Sequence, residues 1–378
     1  MTTRYILKNS TEPIRNSSGL DYRKELNEAQ YRAASTVEGP LLIIAGAGTG
    51  KTRTLVYRVA HLIDSGVDPR SILLLTFTRR AAEEMIRRAG LLIDSRCHQV
   101  AGGTFHSFAN LVLREYGRRI DLLPSFTIMD RSDSEAVIQE IRAEMGLNTK
   151  DRRFPRKQTC AEIFSMALNK QTPLGELIEL EYPHLIESNE ELIDLHRRYI
   201  DYKQTKSLVD YDDLLTKLKD LLASHEQVRN RLSDRFRFIM VDEYQDTNHL
   251  QSKIVRLLAA THDNVAVVGD DAQSIYSFRG ADFRNIMDFP KHFPGARIIK
   301  LEENYRSTQP ILNLTNEIIQ RAAEGYEKRL FTRKSVGPRP RLVQAGSEQT
   351  QSQFVCQKIF ELREQGVPLW DMAVLFRS

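Results

Sequence analysis

The sequence has few cysteines and no long apolar run. Its three cysteines lie far apart without a CxxC pair, which excludes a disulfide framework or a structural zinc site of the usual spacing. The nine histidines do not fall at metal-ligand spacing either. No segment is apolar for long enough to cross a bilayer, and the polar first residues do not resemble a secretory signal. We therefore predict a cytoplasmic protein without a membrane segment.

The composition is that of a folded protein with little excess charge. Hydrophobic residues make up 41% and charged residues 28% of the chain, a balance typical of globular proteins. A length of 378 residues allows two or three domains. The formal net charge is only +4, so a polyanionic ligand would have to be held by local basic patches.

The apolar pattern predicts an α/β fold built on a parallel sheet. The runs LLIIA, ILLLTFT, FRFIMVDE and NVAVVGD read as buried strands, with helical sequence between several of them. A long stretch of leucine and isoleucine at helical spacing predicts a helical insertion, and ARIIKLEEN, RPRLVQA and MAVLFRS predict strands of a second, incomplete α/β unit. The predicted parts are a flexible arm (1–24), a first sheet domain (25–107 and 231–290), a helical insertion (108–230) and part of a second sheet domain (291–378).

The segment LLIIAGAGTGKT predicts a phosphate-binding loop. It combines a strand, a glycine-rich turn and a following helix, so backbone N–H groups and the positive helix end would face an anion. Lys51 would reach the β and γ phosphates, and Thr52 would offer a hydroxyl to Mg²⁺. The strict pattern begins with glycine, whereas this sequence has Ala45. The predicted loop residues are Gly46, Ala47, Gly48, Thr49, Gly50, Lys51 and Thr52.

The second half of such a site is an apolar strand that ends in carboxylates. FIMVDE supplies Asp242, suited to hold Mg²⁺, and Glu243, suited to orient or deprotonate a water molecule. Taken alone, two acids at a strand end form an ordinary solvated turn. The pairing with Lys51 favours the catalytic interpretation.

Several further segments occur in one order along the chain, namely AGAGTGKT, TFTRRAAEEM, GGTFHSF, VDEYQDTN, VVGDDAQSIYSFRGAD and LEENYRST. Together they resemble the motifs of superfamily 1 DNA helicases of the UvrD/Rep/PcrA type, from about residue 26 to residue 378. The resemblance implies a P-loop NTPase fold with two RecA-like sheet domains, the second only in part. It also implies ATP and Mg²⁺ as cofactors, and 3′ to 5′ movement on single-stranded DNA with unwinding at duplex junctions.

The same resemblance assigns roles around the nucleotide. Gln30 would read adenine, while Arg53 and Tyr305 lie against the base. Gln273 would contact the γ phosphate. Arg306, carried by the second sheet domain, would reach across the cleft as an arginine finger.

Single-stranded DNA is commonly held by aromatic rings that stack on bases and by basic groups that hold phosphates. Aromatic and basic side chains fall in the motifs that would line the strand channel. These candidates are Phe77, Thr104, Phe105, His106, Tyr276, Phe278 and Arg279. For the phenylalanines and Tyr276 the alternative is burial in a core, and Phe278 stands where this family often has tryptophan.

Two other interpretations remain open on sequence. A GTPase switch shares the phosphate loop but usually has an NKxD motif, whereas the one NK pair here, Asn169 and Lys170, is followed by Gln171 and Thr172. The other alternative is a module that binds nucleotide and DNA but has little motor activity on its own. The sequence predicts neither the biological pathway nor the protein partners.

Overall fold

The fold was analysed in a computed structural model, which describes residues 19–148, 154–277 and 280–376. Within these ranges no helix combines the length and apolar character that a membrane span needs. The candidates Phe278 and Arg279 lie outside the described residues, as does most of the predicted arm. The end of that arm is not flexible, because Tyr22 opens a short helix and is buried, with its hydroxyl donating to Asp64 at 2.6 Å.

The molecule contains a six-stranded sheet in the order β3-β2-β6-β7-β1-β8, with every neighbouring pair parallel, and a separate pair formed by β4 and β5. The strands are β1 (Leu41–Ala45), β2 (Ile72–Thr76), β3 (Ala101–Thr104), β4 (Thr127–Ile128), β5 (Leu208–Val209), β6 (Phe238–Val241), β7 (Val265–Gly269) and β8 (Arg297–Leu301). The helices are α1 (Tyr22–Glu25), α2 (Glu28–Ser35), α3 (Lys51–Asp64), α4 (Arg79–Leu92), α5 (Phe105–Tyr116), α6 (Arg131–Glu144), α7 (Lys157–Lys170), α8 (Leu174–Glu181), α9 (Asn189–Thr205), α10 (Tyr211–Ser224), α11 (Glu226–Arg235), α12 (His249–Leu258), α13 (Arg284–Met287), α14 (Phe289–His292), α15 (Gln309–Ile319) and α16 (Glu348–Glu364).

Strand β1 shows why the apolar runs form a sheet with helices on both faces. Successive side chains of a strand point to opposite faces, and here both faces are buried. Leu42 and Ile44 pack into a core with α5, α10 and α12, while Leu41 and Ile43 pack into a core with α3 and α4. The prediction of a parallel α/β sheet is therefore confirmed.

The helices of the predicted insertion pack into two different cores. Helices α6 to α9 enclose a core of their own, which includes Ile138, Phe164 and Leu195. Helices α5 and α10, which the prediction placed inside the insertion, pack instead on the sheet through residues such as Phe108 and Leu215. The helices that have a separate core therefore lie between β4 and β5, and these two strands pair with each other.

The strand predicted to open the second sheet domain pairs with the first sheet in this structure. β8 pairs with β1 from Leu41↔Arg297 to Ala45↔Leu301. Its alternate residues Ile299 and Leu301 are buried beside β1, which stabilises the pairing. The predicted strands at 339–345 and 372–376 have no strand structure in the described residues, and Leu342 in the first of them is fully exposed.

Candidate active site

The phosphate-binding loop connects β1 to α3 and depends on glycine at two positions. Gly48 and Gly50 have φ values of 76° and 84°, a conformation that glycine adopts without steric cost. A Cβ at Gly50 would lie 2.7 Å from the Gln30 amide nitrogen. Within the part of the chain that the structure describes, no side chain caps the start of α3, so its first N–H groups are available for an anion. Ala45 stands where the strict motif has glycine; it is the last residue of β1 and its methyl group lies in the core.

The two carboxylates that follow β6 reach this loop. The Lys51 ammonium donates to a Glu243 carboxylate oxygen at 2.7 Å. This contact joins the loop after β1 to the acids after β6, which lie two strands away in the sheet order. The structure therefore brings together the residues predicted to form the two halves of the site.

Asp242 is suited to a metal that arrives with phosphates. Burial raises the pKa of Asp242 to about 7, the neighbouring Glu243 charge adds to this shift, and Lys51 opposes it. A divalent cation would favour the charged form. Asp242 and Thr52 line one cavity of about 510 Å³. No group of three or more Cys, His, Asp or Glu side chains in the described ranges could hold a metal alone. Asp242 and Thr52 would suit Mg²⁺, which typically uses one or two carboxylates and completes its shell with phosphates and water.

Glu243 is held in an unusual backbone conformation. Its φ of 49° is in the left-handed region, which costs a non-glycine residue about 1–3 kcal/mol. The buried Gln245 donates to the Glu243 carboxylate at 2.8 Å, and its amide oxygen accepts from the Asp270 N–H at 3.0 Å. Sequence reasoning missed Gln245, although its position two residues after Glu243 in VDEYQD was a signal.

Gln273 lies in the turn after β7 and lines the same cavity as Asp242 and Glu243. Its amide donates to Asp270. Asp246 lines this cavity too, and burial raises its pKa to about 6. One of its carboxylate oxygens is buried and has no hydrogen-bond partner among the described residues. The carboxyl ends of β1, β6 and β7 therefore converge, as expected for ligand sites in parallel sheets.

The segment after β8 docks directly on the phosphate-binding loop. The Asn304 amide donates to the Ala47 carbonyl at 2.6 Å, and its oxygen accepts from the N–H groups of Arg306 and Ser307 at 2.9 and 2.7 Å. The Tyr305 N–H donates to the Gly48 carbonyl at 2.8 Å. Asn304 is only 2% exposed and was missed as a functional residue, although it begins the NYRST motif. It places Arg306 and Tyr305 at the loop.

A second cavity, of about 520 Å³, lies on the other side of the loop. Its lining residues are Glu25, Gln30, Gly48, Gly50, Arg53, Tyr305 and Arg306. The Gln30 amide donates to the Thr49 carbonyl at 2.9 Å and accepts from the Asn27 N–H at 3.2 Å, which leaves one N–H and one lone pair for a ligand. Arg53 donates to Glu25 at 3.0 Å, and Tyr305 accepts from Asn27 at 2.8 Å. The three residues predicted to face the base are therefore brought together.

The DNA candidates fall into different environments. Phe77 and Tyr276 stack on each other with ring centroids 5.4 Å apart, and they line the cavity that contains the acids. His106 is partly buried, which lowers its pKa, and contacts the ring of Tyr211 edge-on at 5.8 Å. Tyr211 is 53% exposed and was not among the predicted DNA-binding residues. Thr104 caps α5 by accepting from the Ser107 N–H at 3.2 Å.

The Phe105 ring is buried, which favours the alternative of a core aromatic, and its role in DNA binding stays a prediction. The ring is 4% exposed and belongs to the core between the sheet and α5. It opens α5 on the face that packs inward, beside Phe108 and Ala109. The sequence pattern allowed this alternative, because large apolar side chains are usually buried.

The parallel sheet carries a phosphate-binding loop after β1 and a pair of acids after β6. This arrangement defines a P-loop NTPase domain of the RecA-like helicase class. Residues 26–294 match the UvrD/REP helicase N-terminal domain, and residues 299–378 match the UvrD-like helicase C-terminal domain. The chain belongs to the UvrD/REP helicase family.

Two curated relatives show what share of a relative's length this chain covers. The ATP-dependent DNA helicase PcrA of Staphylococcus aureus is 36% identical over 354 residues, which cover 93% of this chain and 48% of that protein. PcrA of Staphylococcus epidermidis is 36% identical over 356 residues, which cover 94% of this chain and 48% of that protein. The chain therefore spans about half the length of the curated relatives it matches.

Proposed function

We propose that this chain binds ATP with Mg²⁺ and hydrolyses it to move 3′ to 5′ along single-stranded DNA and to separate strands at duplex junctions. The observation that carries the proposal is the 2.7 Å contact between Lys51 and Glu243. It places the loop that would hold the phosphates beside the acid that would activate water. The named relatives are ATP-dependent DNA helicases, which supports ATP and DNA as the ligands. Strand direction rests on the family resemblance.

Phosphate binding would begin at the loop. N–H groups at the start of α3 face the anion, and Lys51 moves from Glu243 to the β and γ oxygens. Thr52 and Asp242 would hold Mg²⁺, which supplies charge neutralisation on the phosphates. On the other side of the loop, Gln30 would read the adenine edge, with Arg53 and Tyr305 against the ring.

Hydrolysis would use residues from three loops. Once Lys51 has turned to the phosphates, Glu243 is free to orient a water molecule and accept its proton, while Gln245 fixes the carboxylate. Gln273 would contact the γ phosphate. Arg306 lies at the rim of the base-side cavity and would swing to the same phosphate, since Asn304 fixes its backbone on the loop.

Binding of DNA would affect the hydrolysis of ATP through the segment after β7. Gln273 and Tyr276 lie three positions apart and line one cavity with Phe77. A base that stacks on Tyr276 would therefore bind close to the turn that carries Gln273. Thr104, His106, Phe278 and Arg279 are proposed to extend the same DNA path.

The proposal is tested by the ATP turnover of the purified chain with and without single-stranded DNA. We expect measurable hydrolysis that rises when DNA is added. The same measurement distinguishes a motor from a module, because a module would bind both ligands and show no DNA-stimulated turnover. An absence of ATP binding would contradict the proposal altogether.

Lys51→Ala should weaken ATP binding. Removal of a charge-assisted contact to the phosphates is expected to cost about 2–5 kcal/mol of binding free energy. Equilibrium titration with a fluorescent ATP analogue measures the change. Lys291→Ala is a matched control, because that side chain is 77% exposed on α14. Equal affinity in the Lys51 variant and this control would contradict the assignment.

Tyr276→Ala and Phe105→Ala should have opposite signatures. Loss of the Tyr276 ring should weaken single-stranded DNA binding by about 1–3 kcal/mol with little change in unfolding temperature. Loss of the buried Phe105 ring should lower the free energy of unfolding by about 3–5 kcal/mol. DNA titration and thermal unfolding of both variants test this, with Trp370→Ala as an exposed aromatic control. Weakened DNA binding by a fully stable Phe105 variant would contradict our placement of that ring.

A further inference from the structure

One buried lysine near the site has no role in the mechanism above. The Lys328 side chain is 2% exposed, and its ammonium lies between the carboxylates of Asp270 and Asp271, which are 4% and 8% exposed. The Asp271 contact measures 2.5 Å. Since removal of three charged groups from water is costly, such a cluster is weak evidence for stability alone. The position of this cluster near the site therefore favours a functional role.

Asp270 connects this cluster to the two groups proposed to act on the γ phosphate and water. One Asp270 carboxylate oxygen accepts from Lys328 and the other accepts from the Gln273 amide. The Asp270 N–H donates to Gln245, which in turn donates to Glu243. A continuous set of hydrogen bonds therefore runs from Lys328 to Gln273 and Glu243.

Lys328 comes from a different part of the chain than the groups it contacts. It lies in the region that matches the C-terminal helicase domain, whereas both aspartates lie in the region that matches the N-terminal domain. The Tyr326 N–H also donates to Asp271 at 3.2 Å. The segment after α15 is thus held against the turn after β7 by contacts that do not involve Arg306 or Asn304.

We infer that Lys328 is a positioning residue for Gln273, and that it makes the orientation of the Gln273 amide depend on docking of the C-terminal segment. The inference rests on the proposed ATP hydrolysis. With Lys328 in place, the Asp270 carboxylate is fixed and directs the Gln273 amide. Without the ammonium, the two neighbouring carboxylates repel each other and Asp270 turns away, which releases Gln273.

A purely structural role for Lys328 would give a different result. It would lower the unfolding temperature and leave the rate of the folded fraction unchanged. A positioning role lowers the hydrolysis rate at saturating ATP in protein that is fully folded, and it affects ATP affinity much less. A conservative Lys328→Arg change should restore the rate, because it restores the cation.

The experiment compares Lys328→Met, Lys328→Arg and the wild-type chain in single-turnover hydrolysis at saturating ATP and single-stranded DNA, with ATP affinity and thermal unfolding measured in parallel. We expect Lys328→Met to slow hydrolysis by about 10- to 100-fold, as loss of a residue that orients a site ligand commonly does. ATP affinity should change by less than about threefold, since the loop itself is intact. Lys291→Met is the matched control, because the Lys291 side chain is 77% exposed on α14.

A wild-type rate in Lys328→Met, or no recovery in a folded Lys328→Arg, would overturn the inference while the proposed function stands. If Lys328→Met does not fold, a double variant that combines Lys328→Met with Asp271→Asn is measured instead. It removes the repulsion between the two acids but still leaves Asp270 without its cation. That folded double variant should be slow as well, and a wild-type rate would overturn the inference. A wild-type chain without hydrolysis would overturn the proposed function and this inference together.

Discussion

Arg306→Ala is expected to lower the rate of ATP hydrolysis by about 10³- to 10⁵-fold, the range found for arginine fingers in phosphoryl transfer. The side chain would neutralise charge that develops on the γ phosphate in the transition state. Its backbone is already fixed, because Asn304 bonds both the Arg306 N–H and the Ala47 carbonyl. ATP affinity should fall far less, because Lys51 and the loop N–H groups remain.

The measurement is single-turnover hydrolysis with single-stranded DNA present, together with ATP titration. Arg321→Ala is a suitable control, since Arg321 is an exposed arginine of the same segment. Arg306→Lys should recover only part of the rate, because an ammonium cannot form the bidentate contact of a guanidinium. A rate near that of the wild type in Arg306→Ala would show that this arginine does not act on the phosphate.

Glu243→Gln is expected to slow hydrolysis by about 10²- to 10⁴-fold, the usual contribution of a general base. The amide keeps the shape of the side chain but cannot accept a proton from water. The change also removes the ion pair with Lys51. ATP should therefore bind at least as tightly as to the wild type, since Lys51 no longer has to leave a carboxylate.

This separation of binding from hydrolysis is measured by ATP titration and by product formation in the same samples. Glu226→Gln, an exposed acid at the start of α11, controls for the loss of one negative charge. Normal DNA-stimulated hydrolysis in Glu243→Gln would show that Glu243 does not activate the water molecule.

The local parts of the site could be predicted from sequence because each is set by a short segment. The strand, glycine turn and helix around Lys51 are contiguous, and so are the strand and acids around Glu243. Parallel strands place their carboxyl ends at one edge, which explains why the predicted contact between the two segments is found. The family motifs added residues that no spacing rule would identify, such as Gln30 and Arg306.

Features that depend on tertiary packing were predicted less well. The pattern of β8 is equally suited to the first strand of a new sheet, and only its pairing with β1 reveals where it belongs. Helices α5 and α10 have the same apolar spacing whether they face the sheet or the insertion. The burial of the Phe105 ring could not be decided for the same reason, because sequence does not show which face of α5 turns inward.

Buried polar contacts were the hardest part to predict. Gln245 and Asn304 lie close in sequence to predicted residues, whereas Lys328 does not. The importance of all three comes from partners far away in the chain. Nothing in the local sequence of Lys328 distinguishes it from a surface lysine. Its burial is visible only when the segment after α15 is seen against the turn after β7.

The most direct test of the central claim is a crystal structure of the chain with Mg²⁺ and a non-hydrolysable ATP analogue. The account predicts the triphosphate on the loop, with the Lys51 ammonium bonded to its terminal oxygens instead of to Glu243. Mg²⁺ should contact the Thr52 hydroxyl and lie next to Asp242. A nucleotide bound elsewhere, or one on the loop with Lys51 still paired to Glu243, would contradict the account.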